Sequence, residues 1–181
     1  MTRISIIKRE NMNAEQAHVY DEVEKAGGPL GGPYWAYIRN PKLMRIAQDM
    51  SNCLRASTLS GRERQIAVLT VVRHWGAKYP WAAQVRASLA AGVDQGTVDA
   101  INGRKPLKLS NAREQMAHDL ARELLANRGL GEATYAAAAK LFNEEELVAL
   151  VASVGQFSMV CCTANAFDIT PAEGAPVLLP G

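Results

Sequence analysis

The chain has 181 residues, a length that suits one compact domain and leaves little room for two. An apolar fraction of 48% supports a sizeable buried core and excludes disorder. Twenty basic residues against eighteen acidic ones leave +2, without the strong electrostatic footprint of a nucleic-acid binder.

The opening MTRISIIKRE holds only a four-residue apolar stretch, too short for a secretory leader. No run approaches the ~18 apolar residues of a membrane span. Cys53, Cys161 and Cys162 form no CxxC pair and no disulfide framework. A soluble cytoplasmic protein with reduced thiols is expected.

Alanine, present 29 times, favours helix, and the breakers cut the chain into helical pieces. Asn13 caps a first helix over Ala14–Lys25. The run from Gly27 to Pro33 is almost all turn chemistry. Pro41 opens a helix reaching about Ala56. Ser60-Gly-Arg-Glu63 is a capping box, and the helix behind it, apolar nearly all round, belongs in the centre of the domain. Gly76 closes that helix, and Pro80 opens the next, which Gly92 ends.

Asp94 caps a short helix to about Asn102. Residues 103–109 form a basic connection, and Ser110 or Asn111 starts a helix reaching Asn127. A further helix covers about 132–142. Asn143-Glu-Glu-Glu146 is a second capping box, and behind it Leu147, Leu150, Val154, Phe157 and Cys161 follow the helical period. From Thr170 the tail, with three prolines, reads as extended and free to lie across a neighbouring subunit. Nowhere does a two-residue alternation appear. The expected fold is an all-α bundle of six to eight helices: one domain with an N-terminal helix and loop (1–33), a helical core (34–169) and a tail (170–181).

Standard catalytic and metal signatures are absent, with no HExxH, GxSxG, P-loop, GxGxxG or dispersed His/Cys set. His18, His74 and His118 lie far apart in sequence, and each reads first as a surface or packing residue. The basic pairs and triplets (Arg62 and Arg64; Arg104, Lys105 and Lys108) read as solvated helix faces. Six of eleven aromatics, Trp75 among them, fall between residues 34 and 81, as an aromatic core, a pocket or a subunit contact would need. Adjacent residues on a helix point about 100° apart, so Cys161 and Cys162 do not meet. Cys161 reads as a small core residue.

The stretch LSGRERQIAVLTVVRHWGAKYPWAAQVRASLAAGVDQGTVDAINGRK, from Leu59, resembles the carboxymuconolactone decarboxylase and alkyl hydroperoxidase D-like family. Weaker resemblance runs through GPYWAYIRNPKLMRIA upstream and FNEEELVALVASVGQFSMVCCTANAFDI downstream. It implies an all-α fold assembling as a homo-oligomer, commonly a trimer or hexamer. Redox members place two cysteines and a histidine where this chain has Ala77, Pro80 and Gln84, and a glutamate where it has Gln65. A thiol peroxidase needs a thiolate, a resolving thiol and a proton relay, so disulfide-based chemistry is not expected at this position.

On ideal helices Gln65 shares a face with Leu69 and Val72, and Gln84 with Trp81 and Ser88. If the family arrangement holds, these helices pack and the two amides meet, orienting a ligand or donating to an oxyanion. A polar pair within the packing explains them equally well. With Pro80 at a first helical position, the amides of Trp81, Ala82 and Ala83 would be free to bind a substrate carboxylate. Tyr79 and Trp81 would supply walls, Arg73 an anchor, and Tyr79 or His74 a proton.

The resemblance implies a cofactor-free, lyase-like enzyme acting on a small organic acid or lactone, with no nucleic-acid or membrane partner. A non-catalytic binding or structural oligomer is the alternative, and a peroxidase using Cys53, Cys161 or Cys162 a further one.

Overall fold

The computed structural model describes Thr2–Pro180, and among these residues it is helical with no strand. After a single 3-10 turn (Arg9–Asn11) come α1 (Ala14–Lys25), α2 (Tyr34–Tyr37), α3 (Pro41–Arg55), α4 (Gly61–Trp75) and α5 (Lys78–Ala90). They are followed by α6 (Gln95–Asn102), α7 (Ala112–Asn127), α8 (Glu132–Ala138) and α9 (Glu144–Ala166). The capping residues define the boundaries. Asn13, Ser60 and Asn143 form reciprocal capping boxes with Gln16, Glu63 and Glu146, while Asn40, Asp94 and Asn111 cap α3, α6 and α7. Gly76 ends α4 in the left-handed region at φ 61°, a conformation that glycine adopts without a Cβ penalty.

Two expectations change. Helix α5 starts at Lys78 behind Ala77, not at Pro80, which sits in its first turn. Helix α8 stops at Ala138, and residues 139–142 form a turn that leads into the Asn143 cap. Helix α9, 23 residues long, is apolar enough on average to cross a membrane by length and composition, as the core helix of a soluble protein also can be, although Gly155, Gln156 and Ser158 interrupt its apolar run. Here it packs against α4, α3 and α5, burying Leu150, Ser153, Val154 and Cys161.

Helix α4 is the centre. Ile66, Ala67, Val68, Leu69, Val71 and Val72 are all fully buried, and each large aliphatic side chain among them contributes about 1.5–3 kcal/mol by leaving water. One side of α4 (Ala67, Val71) packs on Ala117, Leu120 and Ala121 of α7 and Leu150 of α9. The other (Ile66, Leu69, Val72) packs on Trp81 and Val85 of α5 and Val98 and Ile101 of α6. A third cluster joins α1, α2 and α3 through Val19, Tyr37 and Met44.

Charge fixes the register of α4 against α7. Arg113 of α7 donates to Glu63 of α4 (2.6 Å) and to Glu146 of α9 (2.7 Å), and its guanidinium lies 4.3 Å from the ring centroid of Phe142. One residue along, Arg62 of α4 grips Glu114 of α7 with two bonds of 2.6 and 3.0 Å. The pairs Glu63–Arg113 and Thr70–His118 ascend together, so α4 and α7 run in the same sense.

Burial pushes the Glu63 carboxyl up, but hydrogen bonds from Arg113 and the Ser60 amide outweigh it and leave the pKa below its ordinary 4.5. Arg113, then the Asn143 amide, hold Glu146 below the same value. With folded pKa values depressed, their contribution to stability is complete above about pH 4.5 and fades as pH falls through the folded values. Arg113→Ala is expected to lower the unfolding free energy by about 3 kcal/mol at neutral pH, because two buried carboxylates lose their cation. Urea melts across pH should show the loss shrinking as these carboxylates protonate.

Candidate functional site

The position singled out by sequence is filled. Trp81 is 1% exposed among Ile66, Leu69 and Val85, and Ala77 and Ser88 are fully buried. Gln65, also buried, accepts from Ser88 Oγ at 3.4 Å rather than meeting Gln84, which is half-buried on α5. The free-amide site does not form, because α5 begins early and the Trp81 amide donates to the Ala77 carbonyl at 2.9 Å. Tyr79 packs against Trp35, with ring centroids 5.9 Å apart, and beneath Gly31 and Gly32. A Cβ on Gly32 would lie 2.1 Å from its ring. Burial raises the Tyr79 pKa, partly offset by Arg86. Trp75 is turned outward, with its indole donating to Ser158 Oγ at 3.1 Å.

The remaining two candidates lie elsewhere. Arg73 and His74, at the C-terminal end of α4, line a cleft of about 680 Å³ whose opposite wall is α7. Arg104, Lys105 and Lys108, exposed on the connection after α6, form its rim, so these cations are solvated as expected but stand on a loop and not on a helix face. Ile101, Leu107 and Leu125 provide apolar surface, while His118, Asp119 and Arg122 come from α7. This volume falls within the range of small-molecule sites.

His118 is the residue that sequence reasoning missed. Its Nδ1 lies 2.8 Å from Thr70 Oγ1, which itself donates to the Ile66 carbonyl one turn back at 2.8 Å. With the single Thr70 proton on Ile66, the hydroxyl oxygen accepts from Nδ1–H. That tautomer leaves the Nε2 lone pair for the cavity the ring lines. Burial lowers the His118 pKa below 6.5, Asp119 opposing and Arg122 reinforcing, so the ring is neutral at pH 7. A neutral imidazole of fixed tautomer is suited to taking a proton. The spacing of residues 70 and 118 gives no signal of this pairing; only the α4–α7 register does.

Arg73 is 5% exposed, and its partners are carbonyls: Nε donates to Asn102 O (2.6 Å) and Nη2 to Pro180 O (3.1 Å). The tail therefore lies across its own chain. Asn102 fixes it further, donating to Val177 O and accepting from Leu179 N, both at 3.0 Å.

No protein-family model matches the chain, and no curated protein matches it. Solved structures do. A peroxidase-related protein from Ralstonia eutropha JMP134, described as an alkylhydroperoxidase AhpD core, superposes with a TM-score of 0.76 at 16% identity, over 95% of this chain and 93% of its own. One from Silicibacter sp. TM1040 gives 0.74 at 22% identity over 96% and 93%. The debrominase Bmp8, bound to 2,3,4-tribromopyrrole, gives 0.75 at 18% over 97% and 96%.

The fold is AhpD-like.

On this AhpD-like scaffold the thiols are Cys53 and Cys162, exposed, and Cys161, which burial pushes well above its ordinary pKa. All three are free, and none lines the cationic cleft. Nitrogen NMR of the histidines is expected to show His118 protonated on Nδ1 and bare on Nε2 at neutral pH, titrating below 6.5. Thr70→Val should abolish the tautomer preference. An Nε2–H tautomer in the parent protein would contradict the direction assigned to the Thr70 bond, with the hydroxyl then donating to Nδ1.

Proposed function

We propose that the protein is a cofactor-free enzyme acting on a small organic acid or lactone, with His118 as its general base. The observation that carries this is the neutral imidazole, held by Thr70, on the wall of a cleft with five cationic side chains. The cations would bind a substrate carboxylate. In lactone opening, His118 Nε2 takes a proton from water, whose oxygen attacks the ring carbonyl. The resulting oxyanion is stabilised by the same cations, the ring C–O bond then breaks, and the proton passes to the leaving oxygen. Decarboxylation, the other chemistry expected from sequence, needs a proton donor instead. A neutral imidazole with bare Nε2 favours the base-dependent route.

The non-catalytic alternative draws on a specific observation, the filling of the Gln65–Ser88 position by core side chains. That position is a packing element in our proposal, and catalysis lies on the other side of α4. Thiol peroxidase chemistry finds no support, because the cleft holds no cysteine. The debrominase among the structural neighbours illustrates that this fold is not tied to one reaction. We further propose a cytoplasmic homo-oligomer, a trimer or hexamer, supported by the exposed apolar side chains Ile46 on α3 and Val148 on α9 and by the free thiols.

A panel of small lactones and organic acids, followed by product detection, tests the reading. His118→Gln is expected to lower kcat by about 10²–10³ with little change in KM, as removal of a general base does. Parent activity should fall on acidification, with its midpoint at the lowered pKa of His118. Gln84→Ala and the triple Cys→Ser variant should leave turnover unchanged. Full activity in His118→Gln would overturn the assignment.

A further inference from the structure

We propose that the cleft selects ligands with a doubly charged phosphate head on an apolar body, so that the acid or lactone handled beside His118 is a phosphate ester. This rests on the function proposed above and specifies its substrate class.

The charge distribution comes first. With histidines counted as neutral, five cations and one carboxylate give the cleft lining +4, whereas the whole chain totals +2. The rest of the molecule is therefore net negative, by two charges. Four of these cations, Arg104, Lys105, Lys108 and Arg122, are solvent-exposed at the cleft mouth, and few carboxylates stand among them. Among the described residues, Arg104, Lys105 and Lys108 have no ion pair, and Arg122 meets Asp119 only at 4.0 Å. Arg73 is held by carbonyl oxygens, which orient it without cancelling its charge. A single carboxylate supplies one negative charge to this set. A phosphate monoester supplies nearly two and three acceptor oxygens, a better match to several independent cations.

Backbone conformation adds a second observation. The chain leaves α6 in a Schellman turn: Lys105 N donates to Ala100 O and Arg104 N to Ile101 O. The residue in the left-handed slot is Arg104, at φ 52°, where glycine is favoured; Gly103, one position earlier, sits at φ −80°. Arg128 and Asp168 also take positive φ among the described residues, but of the three only Arg104 has a side chain that lines the cleft. Ile101, Leu107 and Leu125 provide the apolar surface for the ligand's body.

Phenyl phosphate and benzoate share a ring and differ in the charge of the head, so they serve as probes. Calorimetric titration of the full chain at constant ionic strength and about pH 8, above the second phosphate pKa of about 6, should show phenyl phosphate binding at least ~10-fold tighter. Arg104→Gly should weaken phenyl phosphate roughly 10-fold, weaken benzoate clearly less and raise Tm by relieving the left-handed strain. A merely structural arginine would give the rise in Tm alone. Equal affinity for the two probes, or unchanged phenyl phosphate binding in Arg104→Gly, would overturn the proposal. Displacement of the probe by a short DNA duplex at the same ionic strength would also overturn it, in favour of a nucleic-acid surface. His118→Gln separates the two levels. Retained phosphate preference with undiminished turnover overturns the base and supports the phosphate site, whereas lost turnover with no phosphate preference does the reverse.

Discussion

The site depends on how α4 lies against α7, and Arg113 fixes that relation. Its guanidinium joins the first turns of α4 and α9 through Glu63 and Glu146, donates to the Leu141 carbonyl and covers Phe142. Apolar packing alone would tolerate some sliding, because small side chains such as Ala67, Ala117 and Ala121 offer little shape to lock. The charged contacts are directional and do not tolerate it. Seven residues beyond Glu63 along α4, the same register brings Thr70 under His118. A structural clamp at one end of the helix pair therefore sets the tautomer of an imidazole further along it.

This division of labour explains why one face of α4 is chemically quiet. Gln65 faces α5 and finds Ser88, in a region closed by Trp81. Thr70 faces α7 and finds a titratable ring beside a water-accessible cleft. The difference lies in what the partner helix presents. Helix α5 brings Trp81 and Val85, which exclude water, whereas α7 brings His118, Asp119 and Arg122 near the basic connection. A base on the dry face would lack access to substrate. On the wet face it retains enough burial to stay neutral.

Local features were legible in the sequence and lateral ones were not. Asn13, Ser60, Asp94, Asn111 and Asn143 cap the helices they precede because capping is decided within three residues. Burial of α4 and of Cys161 followed from apolar periodicity. The start of α5 was misplaced because proline is tolerated throughout a first helical turn, not only at its first residue. That shift removed the proposed anion site. Arg73 and His74 line a different cavity from the one expected for them, and the sequence carries no signal for His118, since its partner stands 48 residues away. A total charge of +2 likewise conceals a +4 cleft, because composition averages over surfaces that the fold separates.

Arg73 shows why the nature of a partner matters as much as its presence. A buried guanidinium must be hydrogen-bonded, and a carboxylate would be the strongest acceptor available. It would also cancel the charge. The carbonyls of Asn102 and Pro180 fix the side chain while leaving its charge uncompensated, and Arg104 nearby adds repulsion, not relief. Such an arrangement is costly, since a desolvated cation is poorly stabilised by neutral dipoles alone. Under the proposed function this cost would fall on binding of an anionic substrate, whose binding energy would then include relief of a penalty already present in the protein alone. The tail takes part in this balance: by supplying Pro180 O it orients Arg73 without cancelling its charge.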